Sequence, residues 1–340
     1  MTSILPEASA QRSAQYKNND SNLFINQRPT FKAWIKSIWL DVITLAITGA
    51  ISHGIFMLQP LPERNFPITF RNGEIVYPQF AYPLRPNIVP IWLTTLLSFG
   101  VPAILILLCQ IRIRSFWDVN NAILGLIYSL INASAFQVFI KWLIGGLRPH
   151  FLSVCKPDLS KVGEGIGFQN IMYTRDVCTG KESEIKEALE SMPSGHSTAA
   201  FAGFVFLFLY LNAKLKLWSN YHPAYWKMLL IYAPLLCACL ISASLTIDAF
   251  HHWYDCLAGA CIGIINAFGA YRMTYMAIWD WRYNHIPLSR DGFNDQKAPP
   301  GYGNFGGFEK AVATRKADWG LDNNNVDLRV PERLFTEHCV

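Results

Sequence analysis

The chain has 340 residues, 51% of them apolar and only 16% charged, with a formal net charge of +5. Mean hydropathy is positive, +0.19, and the apolar residues gather into long runs separated by polar connections. Such clustering excludes an ordinary soluble domain, and a small positive charge dispersed among the connections excludes a nucleic-acid-binding surface.

Residues 1–32 are polar and read as a flexible cytosolic segment. They lack the apolar core of a cleavable signal, so the first apolar run is expected to serve as an uncleaved anchor. A hydrocarbon core is crossed by about 20 helical residues. Six runs have that length: approximately Ile35–Leu58, Pro90–Gln110, Ala122–Leu143, Thr198–Leu217, Met228–Ile247 and Leu257–Tyr275. They carry few charges, and Trp34, Trp92, Trp142, Trp218, Trp226 and Tyr275 stand at their ends, as bilayer interfaces favour. The fold class expected is all-α, a polytopic membrane protein with a six-transmembrane-helix bundle over residues 33–275.

The connections differ in character. Residues 60–89 are rich in proline and aromatics and are expected to cap a site or rest on lipid headgroups. Residues 148–194 form the longest connection. Residues 276–340 read as a cytosolic tail that starts with an amphipathic patch (Trp279, Trp281, Arg282, Tyr283) suited to the membrane face and continues through a Pro/Gly-rich linker. Arg12, Lys17, Arg28, Lys32 and Lys36 precede the first run. Arg112 and Arg114 lie in the second connection, and Lys214, Lys216 and Lys227 around the fourth. The positive-inside rule puts these segments and both termini in the cytosol, leaving the first, third and fifth connections lumenal or extracellular. None of the eight cysteines has metal-site spacing. Cys155 and Cys178 share the third connection, where an oxidising lumen permits a disulfide. The sequons at Asn19 and Asn132 fall in a cytosolic segment and inside a span, so neither is expected to carry a glycan.

Three clusters carry chemistry, all at non-cytosolic ends of spans. Lys141 and Arg148, in KWLIGGLRP, put two long cationic side chains at the end of the third run; alone, they would read as a pair snorkelling to the interface. Pro193-Ser194-Gly195-His196 opens the fourth run. Ser and Gly there mark a helix N-terminus, whose free amides and positive dipole end attract anions, with His196 on the first turn. His251 and Asp255 precede the sixth run at i, i+4 spacing. On a helix, Asp255 would hold one ring nitrogen of His251 and leave the other free to attack. His252 would point elsewhere and pack. Ionisable groups at a membrane edge are costly and usually functional. Together the clusters would line one anion-sized hollow, with the two imidazoles facing each other across it.

These residues resemble the type 2 phosphatidic acid phosphatase family, in its lipid phosphate phosphatase branch, and more widely the fungal members acting on phosphatidate and diacylglycerol pyrophosphate. The family motifs K-x6-RP and PSGH are complete here, and SR-x5-H-x3-D appears as Ser244 to Asp255 with one departure, Leu245 in place of the arginine. The resemblance implies that His251 is the nucleophile, forming a phosphohistidine. His196 is then the acid and later the base, and Asp255 orients His251. Lys141, Arg148, Ser194 and Gly195 hold the phosphate. It implies no cofactor and no metal, with a membrane lipid phosphate as substrate, the bilayer as surroundings and no nucleic acid as partner. The site would face the lumen or exterior in the vacuole, endoplasmic reticulum or plasma membrane.

Leu245 motivates an alternative, a catalytically weakened or inactive lipid-phosphate-binding membrane protein. In an active phosphatase, a donor from the third connection, Arg175 or His150, would instead compensate for the missing arginine. A phosphatase for soluble or polyprenyl phosphates is a further reading. A transporter would rest only on Asp41 and His53 of the first span, where Asp41 suits a local hydrogen bond better.

Overall fold

The computed structural model describes residues 29–58, 65–68, 78–158, 160 and 165–288. The N-terminal stretch to residue 28 with the Asn19 sequon, part of the 60–89 connection, and everything from 289 with the Pro/Gly run and Cys339 lie outside them. In chain order the helices are α1 (Phe31–Met57), α2 (Ile91–Ile113), α3 (Phe116–Ile144), the short α4 (Phe151–Cys155) and α5 (Glu182–Ala188), then α6 (Gly195–Leu215), α7 (Tyr225–Ile247) and α8 (Trp253–Thr274). α1, α2, α3, α6, α7 and α8 are long and apolar enough to cross a bilayer, and each coincides with one of the six apolar runs. The chain is therefore an integral multi-pass membrane protein. The largest boundary difference is at α3. It starts at Phe116, ahead of the apolar run, because Ser115 caps it by accepting a bond from the Asp118 amide.

α6 is the hub and packs against α2, α3, α7 and α8. Of its apolar window 78% is buried, against 6% for α1, which lies at the edge and packs on α3. Apolar burial does not drive association inside lipid, so helices approach through small residues. A Cβ on Gly203 of α6 would lie 2.0 Å from the Ser98 carbonyl oxygen of α2. On α8, Gly259 and Gly263 would clash at 2.5 and 2.7 Å with the carbonyl oxygens of Ser194 and Thr198. α8 thus lies against the first turns of α6, which brings the chain just ahead of α8 beside the PSGH segment.

At the opposite end of the bundle the buried Asp118 carboxylate accepts from Gln110 Nε2 (2.7 Å), Tyr210 Oη (2.8 Å) and Tyr275 Oη (3.0 Å) and pairs with Lys214 Nζ (2.5 Å). This ties together the ends of α2, α3, α6 and α8. The chain then turns back onto that end. Lys216 Nζ donates to Asn284 Oδ1 (2.7 Å) and the Trp281 carbonyl, and Tyr271 Oη donates to the Asn284 carbonyl (2.7 Å). Trp279 stacks on Trp218 at 5.5 Å. The Trp279–Tyr283 patch is thus held at this end of the bundle through the Trp281 carbonyl and the Trp279 stack, while Trp279 itself stays largely exposed. Asp41 accepts from the Tyr128 hydroxyl, and Asn132 donates to Asn266 Oδ1 at 2.5 Å, so both polar span residues have partners inside the bundle.

The PSGH end carries a small extramembrane cap. A two-residue antiparallel pair, β1 (Phe66–Pro67) and β2 (Met172–Tyr173), packs with α4 and α5 around Phe66, Phe151, Val154 and Ile185. Cys155 and Cys178 are joined there by a disulfide.

Candidate active site

Lys141 is buried in the last turn of α3. Its Nζ donates to the Glu190 carbonyl at 3.1 Å. The helix ends at Gly145, whose φ of +53° favours glycine, and a side chain there would meet the Leu189 carbonyl at 2.9 Å. Next, the Gly145 and Gly146 carbonyls accept from the amides of Met192 (2.9 Å) and Ser191 (3.0 Å). Those bonds set the end of α3 in register with the chain entering PSGH. Two residues on, the Arg148 amide donates to the Ala188 carbonyl (2.9 Å), and its buried guanidinium pairs with Glu187 at 3.0 Å over the Phe250 ring (5.1 Å). Burial lowers the Arg148 pKa, and the Glu187 carboxylate opposes that shift. Burial raises that of Glu190.

Ser194 caps α6, accepting from the Ser197 amide at 3.4 Å, while its own amide donates to the Asp255 carbonyl at 3.1 Å. The expectation that Ser194 offers an amide to phosphate is thereby corrected, because that amide is spent on holding α8. The first-turn amides of Gly195 and His196 have no partner within the helix by α-helical geometry. Gln137 Nε2 supports the turn from α3 through the Pro193 carbonyl (3.1 Å).

A second correction concerns His251. It does not share a helix with Asp255. α7 ends at Ile247, and a turn with Ala249 at φ +58° follows, in which the Phe250 and His251 amides both donate to the Leu245 carbonyl (3.1 and 3.2 Å). His252 is the N-cap of α8. Asp255 Oδ2 accepts from the His252 amide (2.9 Å) and Ser191 Oγ (2.6 Å), and lies 3.7 Å from His251 Nδ1, beyond hydrogen-bond range. Neither Asp255 Oδ1 nor His251 Nδ1 has a hydrogen-bond partner, so a small rotation would join them. Burial foremost, then the positive fields of Arg148 and Lys141, push the His251 pKa down to about 3, although Asp255 opposes them. The ring is therefore neutral at physiological pH. His252 stacks on Tyr254 and meets the edge of Phe80, but its Nδ1 also lies 3.4 Å from Asp255 Oδ2, closer than that of His251, so it does more than pack.

One cavity of about 690 Å³ is walled by Lys141, Arg148, Gly195 and His196, together with Glu187, Glu190 and residues of α1, α2 and α3 including His53. His251 is not on that wall; it is buried behind it, 3% exposed, so the two imidazoles do not face each other across the hollow as the motifs suggested. Leu245 is fully buried and also off the wall. Arg175 pairs with Glu182 at the surface, and His150 Nδ1 bonds the Ala249 carbonyl (2.8 Å), so neither of the anticipated donors enters this cavity. Glu187, Ser191 and Gln137 were not singled out by the motifs. Each bonds a motif residue from a position with no signature of its own. Among the described residues no group of His, Cys, Asp or Glu is arranged to hold a metal.

Residues 122–279 match the PAP2 superfamily. The chain is 35% identical to Lipid phosphate phosphatase 1 of Arabidopsis thaliana over 236 residues, 69% of this chain and 67% of that one. It is 33% identical to a PA-phosphatase related-family protein of Dictyostelium discoideum over 255 residues (74% and 72%). Diacylglycerol pyrophosphate phosphatase 1 of Saccharomyces cerevisiae is 33% identical over 245 residues (71% and 80%). No solved structure matches. The chain belongs to the PAP2 superfamily, in its lipid phosphate phosphatase branch, a class of membrane-embedded phosphatases.

Proposed function

We propose that the protein removes phosphate from a membrane lipid phosphate, phosphatidate or diacylglycerol pyrophosphate, without a metal. The observation that supports this most is the direct bonding among the three motif segments: Gly145 and Gly146 to Met192 and Ser191, Ser191 to Asp255, and Asp255 to the Ser194 amide. Three stretches far apart in sequence are thereby bonded together, two of them lining one cation-lined cavity and the third, with His251 and Asp255, packed behind its wall. In the proposed reaction His251 Nε2 forms a bond to phosphorus while the ester oxygen leaves, taking a proton from His196. Water then attacks the phosphohistidine, His196 takes its proton, and inorganic phosphate departs as the N–P bond breaks. Asp255 turns onto His251 Nδ1 and fixes the attacking tautomer. Catalytic hydrogen bonds are often long before substrate binds, in keeping with the 3.7 Å separation. Lys141, Arg148 and the Gly195 amide balance charge on the phosphoryl oxygens, which requires the phosphate to displace Glu187 from Arg148 and His251 to meet it at the wall. With basic connections in the cytosol, this cavity faces the lumen or exterior.

The test is phosphate release from phosphatidate micelles in EDTA. Release well above a His251→Ala control is expected, and none above it would remove the reading. Leu245 favours a second reading, a lipid-phosphate binder with little or no turnover, because one charge-assisted donor acting on the transition state is worth about ten- to more than a hundredfold in rate. Saturable binding that survives His251→Ala, without wild-type turnover, is its signature. A large rate gain in Leu245→Arg would show that the natural site works below the family's capacity.

A further inference from the structure

Three cationic side chains line the cavity, Lys141, Arg148 and Lys186, against two anionic ones, Glu187 and Glu190. Counting histidines as neutral, Lys186 is the group that makes the described wall net positive, which matters in a chain that lacks the arginine at position 245. Its place differs from that of the other two cations. Lys141 and Arg148 are under one-tenth exposed, at the floor. Lys186 is half-buried on α5, and its Nζ donates to the Met57 carbonyl at the end of α1 (3.2 Å), in the more exposed part of the wall. A backbone carbonyl is a neutral acceptor in a partly exposed place, and a phosphoryl oxygen would replace it favourably.

Resting on the phosphatase reading above, we infer that Lys186 determines specificity for a headgroup with two phosphates, by binding the phosphate that is not transferred. The transferred group sits on the floor cations, with its leaving oxygen at His196. In a monophosphate lipid, the glycerol ester continues from that oxygen towards the mouth. In a diphosphate lipid, a second phosphate occupies that stretch, and among the described residues Lys186 is the cation of the wall besides the buried pair.

The experiment compares wild type, Lys186→Gln and Lys181→Gln on diacylglycerol pyrophosphate and phosphatidate in micelles. Lys181 pairs with Glu184 on the surface, away from the cavity. Lys186→Gln is expected to lower kcat/KM for the diphosphate lipid about three- to tenfold more than for phosphatidate, the effect of one partly exposed charged contact, while Lys181→Gln leaves the ratio unchanged. A second arm needs no turnover. In a His251→Ala background, thermal shifts are measured with short-chain diacylglycerol pyrophosphate, short-chain phosphatidate and inorganic pyrophosphate. The diphosphate lipid should stabilise the protein more than phosphatidate, and Lys186→Gln should erase the difference. A matching, Lys186-dependent shift with inorganic pyrophosphate would place recognition in the diphosphate itself, and a shift with the lipid alone would add the acyl chains to it. Equal losses on both lipids, or an unchanged ratio and unchanged shifts, would overturn the assignment. Absence of wild-type turnover beside a Lys186-dependent shift would remove the phosphatase reading and leave only diphosphate recognition by Lys186.

Discussion

At the scale of single residues the site is a balance between burial and charge. His251 is almost fully enclosed beside two buried cations, and its pKa falls to about 3 from the ordinary 6.5. The unfolded chain therefore binds more protons than the native one between those values. The stability this ring contributes is complete above about pH 6.5 and is lost as pH falls towards 3. In detergent, the thermal midpoint is expected to drop between pH 7 and pH 4, and His251→Gln should flatten that slope. An identical slope in the variant would show that this ring does not carry the proton uptake. The motif residues themselves were legible in the sequence, because each signature is local: Lys141 and Arg148 seven apart, PSGH contiguous, His251 four before Asp255. What stayed hidden was how they are held. Ala249 adopts positive φ without a glycine to announce the turn, so His251 appeared to be helical. The Ser194 amide looked free because its acceptor lies some sixty residues along the chain, at Asp255.

At the scale of elements the geometry depends on two helices in close approach. α8 meets α6 through Gly259, where a methyl group would sit 2.5 Å from the Ser194 carbonyl oxygen and 3.0 Å from Thr198 Oγ1. Gly259→Ala must therefore separate the two N-termini that carry His196 and Asp255. Overpacking of this kind costs roughly 1–3 kcal/mol. The variant is expected to unfold at a lower temperature and to lose phosphate release more than proportionately, and unchanged values of both would mean that the helices accommodate the methyl freely. The six spans were readable from hydropathy, since length and apolarity fix them whatever their neighbours are. Their arrangement was not readable. That α6 is enclosed while α1 is peripheral follows from the placement of small residues at contacts such as Gly203 to Ser98, which composition alone does not reveal.

At the scale of the whole molecule the bundle has two unlike ends. One is fastened by the Asp118 cluster and the returning 275–288 segment, and the other bears the capped cavity and the Cys155–Cys178 bridge. A disulfide belongs in an oxidising compartment, which agrees with the proposal that the basic connections are cytosolic and this end is not. Closing a 23-residue separation stabilises by roughly 3 kcal/mol in the chain-entropy picture. Replacing both cysteines by serine should lower the thermal midpoint by several degrees and loosen the cap over the cavity, raising protease sensitivity of the 156–178 segment. In sealed vesicles, a membrane-impermeant thiol reductant should reach this bridge only from the lumenal or exterior face, and reduction from the cytosolic face would reverse the assigned orientation.

The central claim is that His251 becomes covalently phosphorylated, and it is tested most directly by rapid acid-free quenching of the protein with radiolabelled lipid phosphate, followed by mapping of the labelled peptide. The label is expected on the peptide containing His251, stable to base and labile to acid, absent in His251→Ala and longer-lived in His196→Ala. Turnover without any label on that peptide, or label on His196 instead, would contradict it.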